Sequence, residues 1–315
     1  MDLLPNDEQH EIIESVRSLL ASNHTIGEVP SDALWDLATE QGWFGLGLSE
    51  TLGGVGYSIV ESALVAAELG NVGLCADLLP TIIAAFVATD AAPELVTGLI
   101  GGLHRCALGY RLGQEWITAG SPDCDLLLLL DTDGAAFVHT EHCDAGTTVA
   151  SLDVTMPLTH RRIEVELTPL SPAIGSGVDV LVASFCAGIA RATTTQSVDY
   201  AKDRQQFGQP IGSFQGVKHR CADMATRSEA AESIARYASL ALRDNAADAQ
   251  VWATNARIVA SSAAIDNSQI NIQNHGGIGF TWEHTAHRYV TAAQFAVRIA
   301  GSLAHSLHRS VTQPS

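Results

Sequence analysis

The chain has 315 residues, with 35 acidic against 17 basic side chains and a formal net charge of -18. A chain of this length can bury a substantial core and is expected to hold two or three packed units. The acidic balance argues against a nucleic acid or an anionic membrane surface as a partner.

Cysteine usage and the N-terminal residues give no sign of export. The six cysteines are scattered without CxxC or metal-ligand spacing, which predicts reduced core residues and no metal site. Acidic residues at positions 2, 7, 8 and 11 occupy the region where a secretory signal needs a positive start and an apolar run. The apolar run 126–130 is too short to span a bilayer. We therefore expect a soluble, cytoplasmic protein with no membrane partner.

The first third of the chain predicts helices around a glycine-rich loop. Asn6 is suited to cap a first helix that carries an apolar stripe. Further helices are predicted over 31–41, 59–69 and 81–102. The glycine-rich stretch 43–58 lacks the Rossmann spacing and a preceding strand, which favours turns and close helix contacts over a phosphate cradle. Residues 1–103 are predicted to form an N-terminal helical domain.

From residue 104 the apolar pattern changes to one typical of strands. Residues 104–172 are predicted to form a small β-domain. Its candidate strands are 126–130, 135–139 and 162–167, the last of which alternates apolar residues with glutamates.

The remainder of the chain, residues 173–315, predicts a C-terminal four-helix bundle. The predicted helices are 178–202, 213–242, 246–274 and 285–311. Short connections make successive helices antiparallel neighbours, and abundant alanine and serine on the later helices permits close packing. The fold class that follows is α+β, mostly α.

The turn between the first two bundle helices carries an exposed cation and an aromatic ring, Arg204 and Phe207. A guanidinium beside helix ends suits a pyrophosphate, because it can bind two oxygens at once. The alternative is an exposed loop whose arginine caps the preceding helix C-terminus. Spacing alone does not decide between them.

Two motifs together resemble one family. R-x-x-F-G-x-x-I-x-x-F-Q begins at Arg204, and Q-x-H-G-G-x-G-F begins at Gln273. This pair, in this order, is similar to the C-terminal helical domain of acyl-CoA dehydrogenases. In that family the matching residues hold the adenosine-diphosphate half of the FAD of the neighbouring subunit. The resemblance therefore implies FAD as cofactor, with Arg204, Phe207, Gln273 and Gly277 as its contacts.

A third segment, Trp116 to Gly120, resembles the W-I-T-x-G segment of the same family, which lies against the flavin ring. The resemblance implies that Trp116 covers one ring face and that the Thr118 hydroxyl approaches the ring edge. The alternative for Trp116 is a partly buried strand residue. Only residues 106–114 stand where complete family members carry a further strand and a Gly-Ser-Asp loop. The β-domain therefore resembles a shortened version of the family's middle domain.

The glutamate that serves the family as catalytic base is missing at both of its usual places. Twenty-four positions after Gly276 stands Ala300, and twenty-nine positions before Phe207 stands Val178. Asp179 is one residue away from the second place, but one helical step turns a side chain by about 100°. Its alternative interpretation is a carboxylate in the first turn of a helix. His275 and His284 are predicted to be core or capping histidines.

The resemblance thus implies an unequal division of labour. The contacts given to a neighbour's FAD are present, whereas the chain's own base is absent, as in the shortened partners of actinobacterial α2β2 acyl-CoA dehydrogenases that degrade steroids. We therefore expect a full-length acyl-CoA dehydrogenase as partner, an acyl-CoA substrate and electron-transfer flavoprotein as oxidant. The alternatives are a self-sufficient homo-oligomeric enzyme with an atypical base, and a non-enzymatic scaffold.

Overall fold

The computed structural model describes residues 3–132 and 134–299, in which a helical region, a sheet and a helical bundle follow one another. The first region contains α1 (Asp7–Asn23), α2 (Asp32–Glu40), α3 (Ile59–Asn71), α4 (Leu78–Ala91) and α5 (Val96–Ile100). The second contains β1 (Cys106–Leu112), β2 (Glu115–Ala119), β3 (Leu126–Asp131), β4 (Gly134–His139), β5 (Thr147–Val149) and β6 (Leu158–Arg161). This order confirms the predicted fold class.

Local capping explains where the N-terminal helices begin. Asn6 forms a capping box with Gln9 at the start of α1, and Ser58 forms one with Glu61 at the start of α3. The two caps are joined, because the Gln9 amide donates to the Glu61 carboxylate at 2.7 Å. The glycine-rich loop packs tightly against these helices. A Cβ at Gly54 would meet the Leu48 carbonyl oxygen at 2.3 Å, so this position requires glycine.

The six strands form one sheet in the order β4-β3-β1-β2-β6-β5. β1 leads directly into β2 through a tight hairpin, which is consistent with a shortened middle region, and β1 pairs in parallel with β3. The predicted strand 162–167 is wrong. β6 ends at Arg161 and already pairs β2 with β5, so the following residues have no ladder partner in the described chain until Thr168 bridges Ala135. Ile163 and Leu167 instead pack on the outer face of the sheet.

The bundle consists of α6 (Pro172–Asp203), α7 (Gln215–Arg243), α8 (Ala249–His275) and α9 (Ala286–Ala296), with a two-residue hairpin, β7 (Gln205–Gln206) and β8 (Gln209–Pro210), after α6. α6 packs against the other three helices. By length and composition α6 is apolar enough to span a membrane, yet 89% of its apolar window is buried inside the protein, as in a core helix.

Two bundle boundaries, the start of α6 and the end of α9, differ from the prediction by several residues. α6 begins at Pro172 behind the N-cap Ser171 rather than at Val178, because proline is suited to the first helical turn. Gly177 lies within this helix, where an added Cβ would meet the Phe86 ring at 2.1 Å. α9 ends at Ala296 and residues 297–299 form a turn, whereas the rest of the predicted helix 285–311 lies outside the described residues.

Candidate functional site

The two sequence motifs meet at one end of the bundle. α6 and α8 run in the same direction, and side chains near their C-terminal ends are in contact. The Tyr200 and His275 ring centroids are 4.3 Å apart, and the Ser197 hydroxyl donates to the Asn271 side chain at 2.8 Å. The turn that follows α6 and the residues that end α8 therefore lie at the same end, although 69 positions separate Arg204 from Gln273.

The first motif forms a rigid hairpin that displays Phe207. The backbone is fixed at its base, since the Arg204 amide donates to Tyr200 and the Ile211 amide donates to Arg204. Phe207 and Gly208 take positive φ values of 52° and 78° to make the two-residue turn. A non-glycine residue in this conformation stores strain. The Phe207 ring is 90% exposed, and it meets the Phe214 ring edge-on with 6.0 Å between the centroids.

Arg204 caps α6 with its backbone rather than with its guanidinium. Its amide hydrogen is the group that bonds to the last turn of the helix. Within the described chain the exposed guanidinium takes part in no ion pair. The Arg204 side chain therefore does not cap the helix. Its guanidinium remains available to an anionic ligand.

The second motif offers an amide side chain and open backbone. Gln273 is exposed in the last turn of α8, and Gly276 ends the helix with a φ of 63°. A Cβ built on Gly276 or Gly277 would have no atom within 4 Å. A ligand could therefore approach the backbone here closely.

Exposed aromatic residues extend the same end of the bundle. Phe280 is 73% exposed and Trp282 is 69% exposed. Large apolar side chains grouped in this way are typical of an interaction surface. We call the following set the bundle-end surface: Arg204, Phe207, Gln273, Gly277, Phe280 and Trp282. It supplies a cation, aromatic faces, an amide and open backbone, which fit one side of a dinucleotide.

Two histidines behave as predicted. His275 is buried, its Nδ1 donates to the Asn271 carbonyl at 2.8 Å, and burial lowers its pKa. Nδ1 of His284 accepts from the Ala286 amide at 3.1 Å at the start of α9, and burial lowers its pKa as well. His275 is thus a core histidine and His284 a capping histidine.

Trp116 and Thr118 lie elsewhere, on the face of β2 that points away from the main core. Trp116 is 4% exposed and Thr118 is 5% exposed, and the Thr118 hydroxyl donates to the Thr159 carbonyl at 3.3 Å. Trp116 belongs to a second core cluster whose members all come from the β-region. A cavity of about 690 Å³, flanked by Arg111 and Arg162, opens beside it. In this chain Trp116 is therefore a buried strand residue at the edge of a cavity.

Val178, one of the two usual positions of a catalytic glutamate, lies beside a buried ion pair that the sequence did not single out. Val178 is 1% exposed in the core, and its neighbour Asp179 is 3% exposed. A carboxylate oxygen of Asp179 lies 3.5 Å from the Arg257 guanidinium. Arg257 also donates to the carbonyl of Ile299, the residue before Ala300. Ala300 itself lies outside the described residues.

This geometry corrects the interpretation of Asp179. Because α6 begins at Pro172, Asp179 is beyond its first turn and is not a helix N-terminal carboxylate. It is half of a buried ion pair with Arg257, which is 1% exposed. The only sequence signal for this pair is an isolated arginine within an alanine- and serine-rich helix.

Comparison with known proteins agrees with this architecture. The sequence matches "Acyl-CoA dehydrogenase, N-terminal domain" over residues 6–92 and "Acyl-CoA dehydrogenase, C-terminal domain" over residues 180–307. Acyl-CoA dehydrogenase IpdE2 of Mycobacterium tuberculosis is 31% identical, over 98% of this chain and 97% of the relative.

Two solved structures share the fold. A chain of the ChsE4-ChsE5 complex from Mycobacterium tuberculosis superposes with a TM-score of 0.79 at 20% identity, over 100% of both chains. A chain of the Tcur3481-Tcur3483 steroid ACAD G363A variant superposes with a TM-score of 0.79 at 21% identity, over 97% of both chains.

Proposed function

Because the chain belongs to the acyl-CoA dehydrogenase family, we propose that it is the base-less subunit of a heteromeric FAD-dependent enzyme that dehydrogenates an acyl-CoA thioester at its α and β carbons. FAD is the cofactor of this family and takes up the hydride from the β carbon when bound. This chain contributes contacts to the adenosine-diphosphate half of FAD. A full-length partner subunit contributes the glutamate that removes the α-proton.

The observation that carries this proposal is the ion pair between Asp179 and Arg257. Asp179 follows Val178 directly, and Arg257 donates to the carbonyl of Ile299, the residue that precedes Ala300 in the sequence. A general base must reach the proton that it removes and must be free to accept it. Asp179 is 3% exposed and its carboxylate lies 3.5 Å from the Arg257 guanidinium, so it is enclosed within the bundle. Asp179 therefore supports the bundle rather than the chemistry.

The bundle-end surface supports the other half of the proposal. The Arg204 guanidinium can bind two oxygens of a pyrophosphate at once. Phe207 offers an exposed ring to the nucleotide, and the open backbone at Gly277 permits close approach. These groups cover a ligand from one side only, so the remaining contacts must come from another chain. Trp116 and Thr118 are proposed to border the flavin-ring region, beside the cavity next to β2.

The substrate and partners are proposed from the relatives. One structural neighbour is a complex of two named chains, and another is titled a steroid ACAD, which favours a heteromer acting on a steroid-derived acyl-CoA. The resemblance implies a shortened middle domain, which would leave room for a bulky acyl group. Electron-transfer flavoprotein is the proposed oxidant, and the cytoplasm the proposed location.

Co-purification with candidate full-length acyl-CoA dehydrogenases tests the proposal. We expect the chain alone to contain little flavin and the complex to contain FAD and to be active. A single-chain preparation that is yellow and reduces an electron acceptor with an acyl-CoA would instead identify a self-sufficient enzyme. A complex whose FAD content does not change with Arg204→Ala would identify a scaffold.

A further inference from the structure

A cluster of histidines and one aspartate lies at the junction of the N-terminal helices and the sheet, away from the bundle. His104 follows α5, Asp125 precedes β3, and His139 ends β4. One potential ligand atom from each of these side chains lies within 4.8 Å of the other two. All three residues are partly exposed, so an ion in solution can reach them.

Backbone hydrogen bonds hold the three residues in place. The Asp125 and Leu126 amides donate to the Arg105 carbonyl, which fixes the segment after His104 against the start of β3. The Thr140 amide donates to the Asp125 carbonyl at 2.9 Å, which fixes the end of β4 to the same point. The cluster is therefore preorganised by the sheet rather than by its own side chains, as a metal site requires.

The side-chain contacts place coordinating atoms next to one another, and a bound ion would replace the contact between His104 and Asp125. Nδ1 of His104 lies 2.6 Å from Oδ2 of Asp125, whose Oδ1 accepts from the Arg105 amide at 2.9 Å. The His139 ring lies edge-on to His104, with centroids 5.4 Å apart. Within residues 3–132 and 134–299, neither ring nitrogen of His139 has a hydrogen-bond partner. Among the described residues, the His139 imidazole therefore lies beside the pair of His104 and Asp125 and is not itself held by a hydrogen bond.

We propose that His104, Asp125 and His139 bind one Zn²⁺ ion. Two imidazoles and one carboxylate are a common ligand set for zinc, with bonds of about 2.0–2.2 Å. Tetrahedral coordination at such bond lengths places ligand atoms about 3.3 Å apart, so small side-chain rotations close the site. A water molecule would complete the coordination, and a further histidine, His142, has its ring centroid 6.0 Å from that of His139.

The ion would join segments that are distant in the sequence. It would connect the end of the helical region at His104 to β3 and β4 of the sheet. This site is independent of the FAD and acyl-CoA proposal, since it shares no residue with the bundle-end surface or with Asp179 and Arg257. The cysteine pattern did not indicate it, because its ligands come from histidines and an aspartate far apart in the chain.

Zinc titration of the untagged full chain, after dialysis against a chelator, tests the site. We expect one Zn²⁺ per chain by elemental analysis and an increase of several degrees in Tm when zinc is restored. His139→Ala removes a ligand and is expected to weaken zinc binding by at least roughly tenfold, since even indirect ligand partners contribute that much. His219→Ala, which removes an exposed histidine of α7, is the matched control and should bind as the wild type does.

Asp125→Asn provides a second variant that keeps the size of the side chain, and circular dichroism shows whether each variant is folded. Loss of zinc binding in folded His139→Ala and Asp125→Asn, but not in His219→Ala, supports the site. The proposal is overturned if the wild type takes up no stoichiometric zinc, or if folded His139→Ala binds zinc as tightly as the wild type. Flavin content of the complex is not used as a readout, so failure here leaves the proposed function untouched.

Discussion

Arg257 and Asp179 form an ion pair inside the bundle, with 3.5 Å between the guanidinium and the carboxylate and both side chains almost fully buried. The pair connects α6 to α8, and Arg257 continues to the carbonyl groups of Val297 and Ile299. The pair lies directly beside Val178, one of the two positions at which the family resemblance leads us to expect a base.

Breaking this pair from one side should destabilise the protein strongly. Asp179→Ala leaves a buried guanidinium without its carboxylate, and the expected loss is about 3–5 kcal/mol of unfolding free energy. The double variant Asp179→Leu/Arg257→Met removes both charges and should recover most of that loss. Chemical denaturation of the three proteins measures the effect. A loss below about 1 kcal/mol in Asp179→Ala would show that the pair does not support the bundle.

Arg204→Ala should lower FAD affinity of the reconstituted complex by roughly 10- to 100-fold, because a charge-assisted, two-oxygen contact is lost. The stability of the isolated chain should not change, since the guanidinium is exposed. Arg243→Ala is the matched control. It removes the same charge at the opposite end of the bundle, where Arg243 pairs with Asp244. Equal FAD affinities of the two variants would contradict the assignment of Arg204.

Substitutions of Phe207 can separate the effect of backbone strain on stability from the effect of a lost ligand contact on FAD binding. Phe207→Ala and Phe207→Gly both remove the exposed ring, and both should reduce FAD retention by the complex. Only glycine also relaxes the positive φ of 52°. In the isolated chain, Phe207→Gly should therefore be more stable than Phe207→Ala by about 1 kcal/mol. Equal stabilities in thermal denaturation would contradict the strained turn.

Gly277→Ala should affect the ligand and not the fold. A Cβ at this position meets no atom of the described chain within 4 Å, and its backbone does not require a positive φ. We expect unfolding free energy within about 0.5 kcal/mol of the wild type. Binding of FAD to the complex should weaken, because the added methyl occupies the space that a ligand needs to approach the backbone. Unchanged FAD affinity would place the ligand elsewhere.

Acid should destabilise the end of the bundle through its histidines. Burial lowers the pKa of His275 and of His284 below 6.5 in the folded protein. The unfolded chain then binds more protons than the folded chain just below pH 6.5, so stability is full above that value and is lost as the pH falls. His275→Phe keeps a ring against Tyr200 and removes one titrating group, so its unfolding free energy should fall less between pH 7.5 and pH 5.5. A slope equal to that of the wild type would exclude His275 as a source.

Several parts of the fold follow from local sequence. The capping boxes at Asn6 and Ser58 set two helix starts, because a cap depends only on residues within one turn. The long apolar pattern after residue 173 predicted the bundle, and the spacing of the two motifs indicated the bundle-end surface. Predicted helix boundaries are wrong where tertiary packing outweighs a local signal. Gly177 is predicted to precede the first bundle helix, but it lies within α6 and packs against Phe86.

Other features depend on contacts between distant segments. The alternating pattern of 162–167 is that of a strand, but a strand also needs a ladder partner, and after β6 the described chain meets one only at Thr168, which bridges Ala135. The sequence around Trp116 is the same whether its ring faces a flavin or a protein core. Only the residues that pack around it in the folded chain determine its environment. The His104, Asp125 and His139 cluster likewise exists only once the sheet brings the three residues together.

By itself the sequence determined the succession of helices, sheet and bundle, the family resemblance, and the absence of a glutamate at Val178 and Ala300. It did so because periodicity, caps and motifs are properties of nearby residues. The tertiary structure alone decided the surroundings of Asp179. A charge buried in α6 must find its counter-charge on another helix, and nothing in the local sequence of Asp179 identifies Arg257, 78 positions later, as that partner.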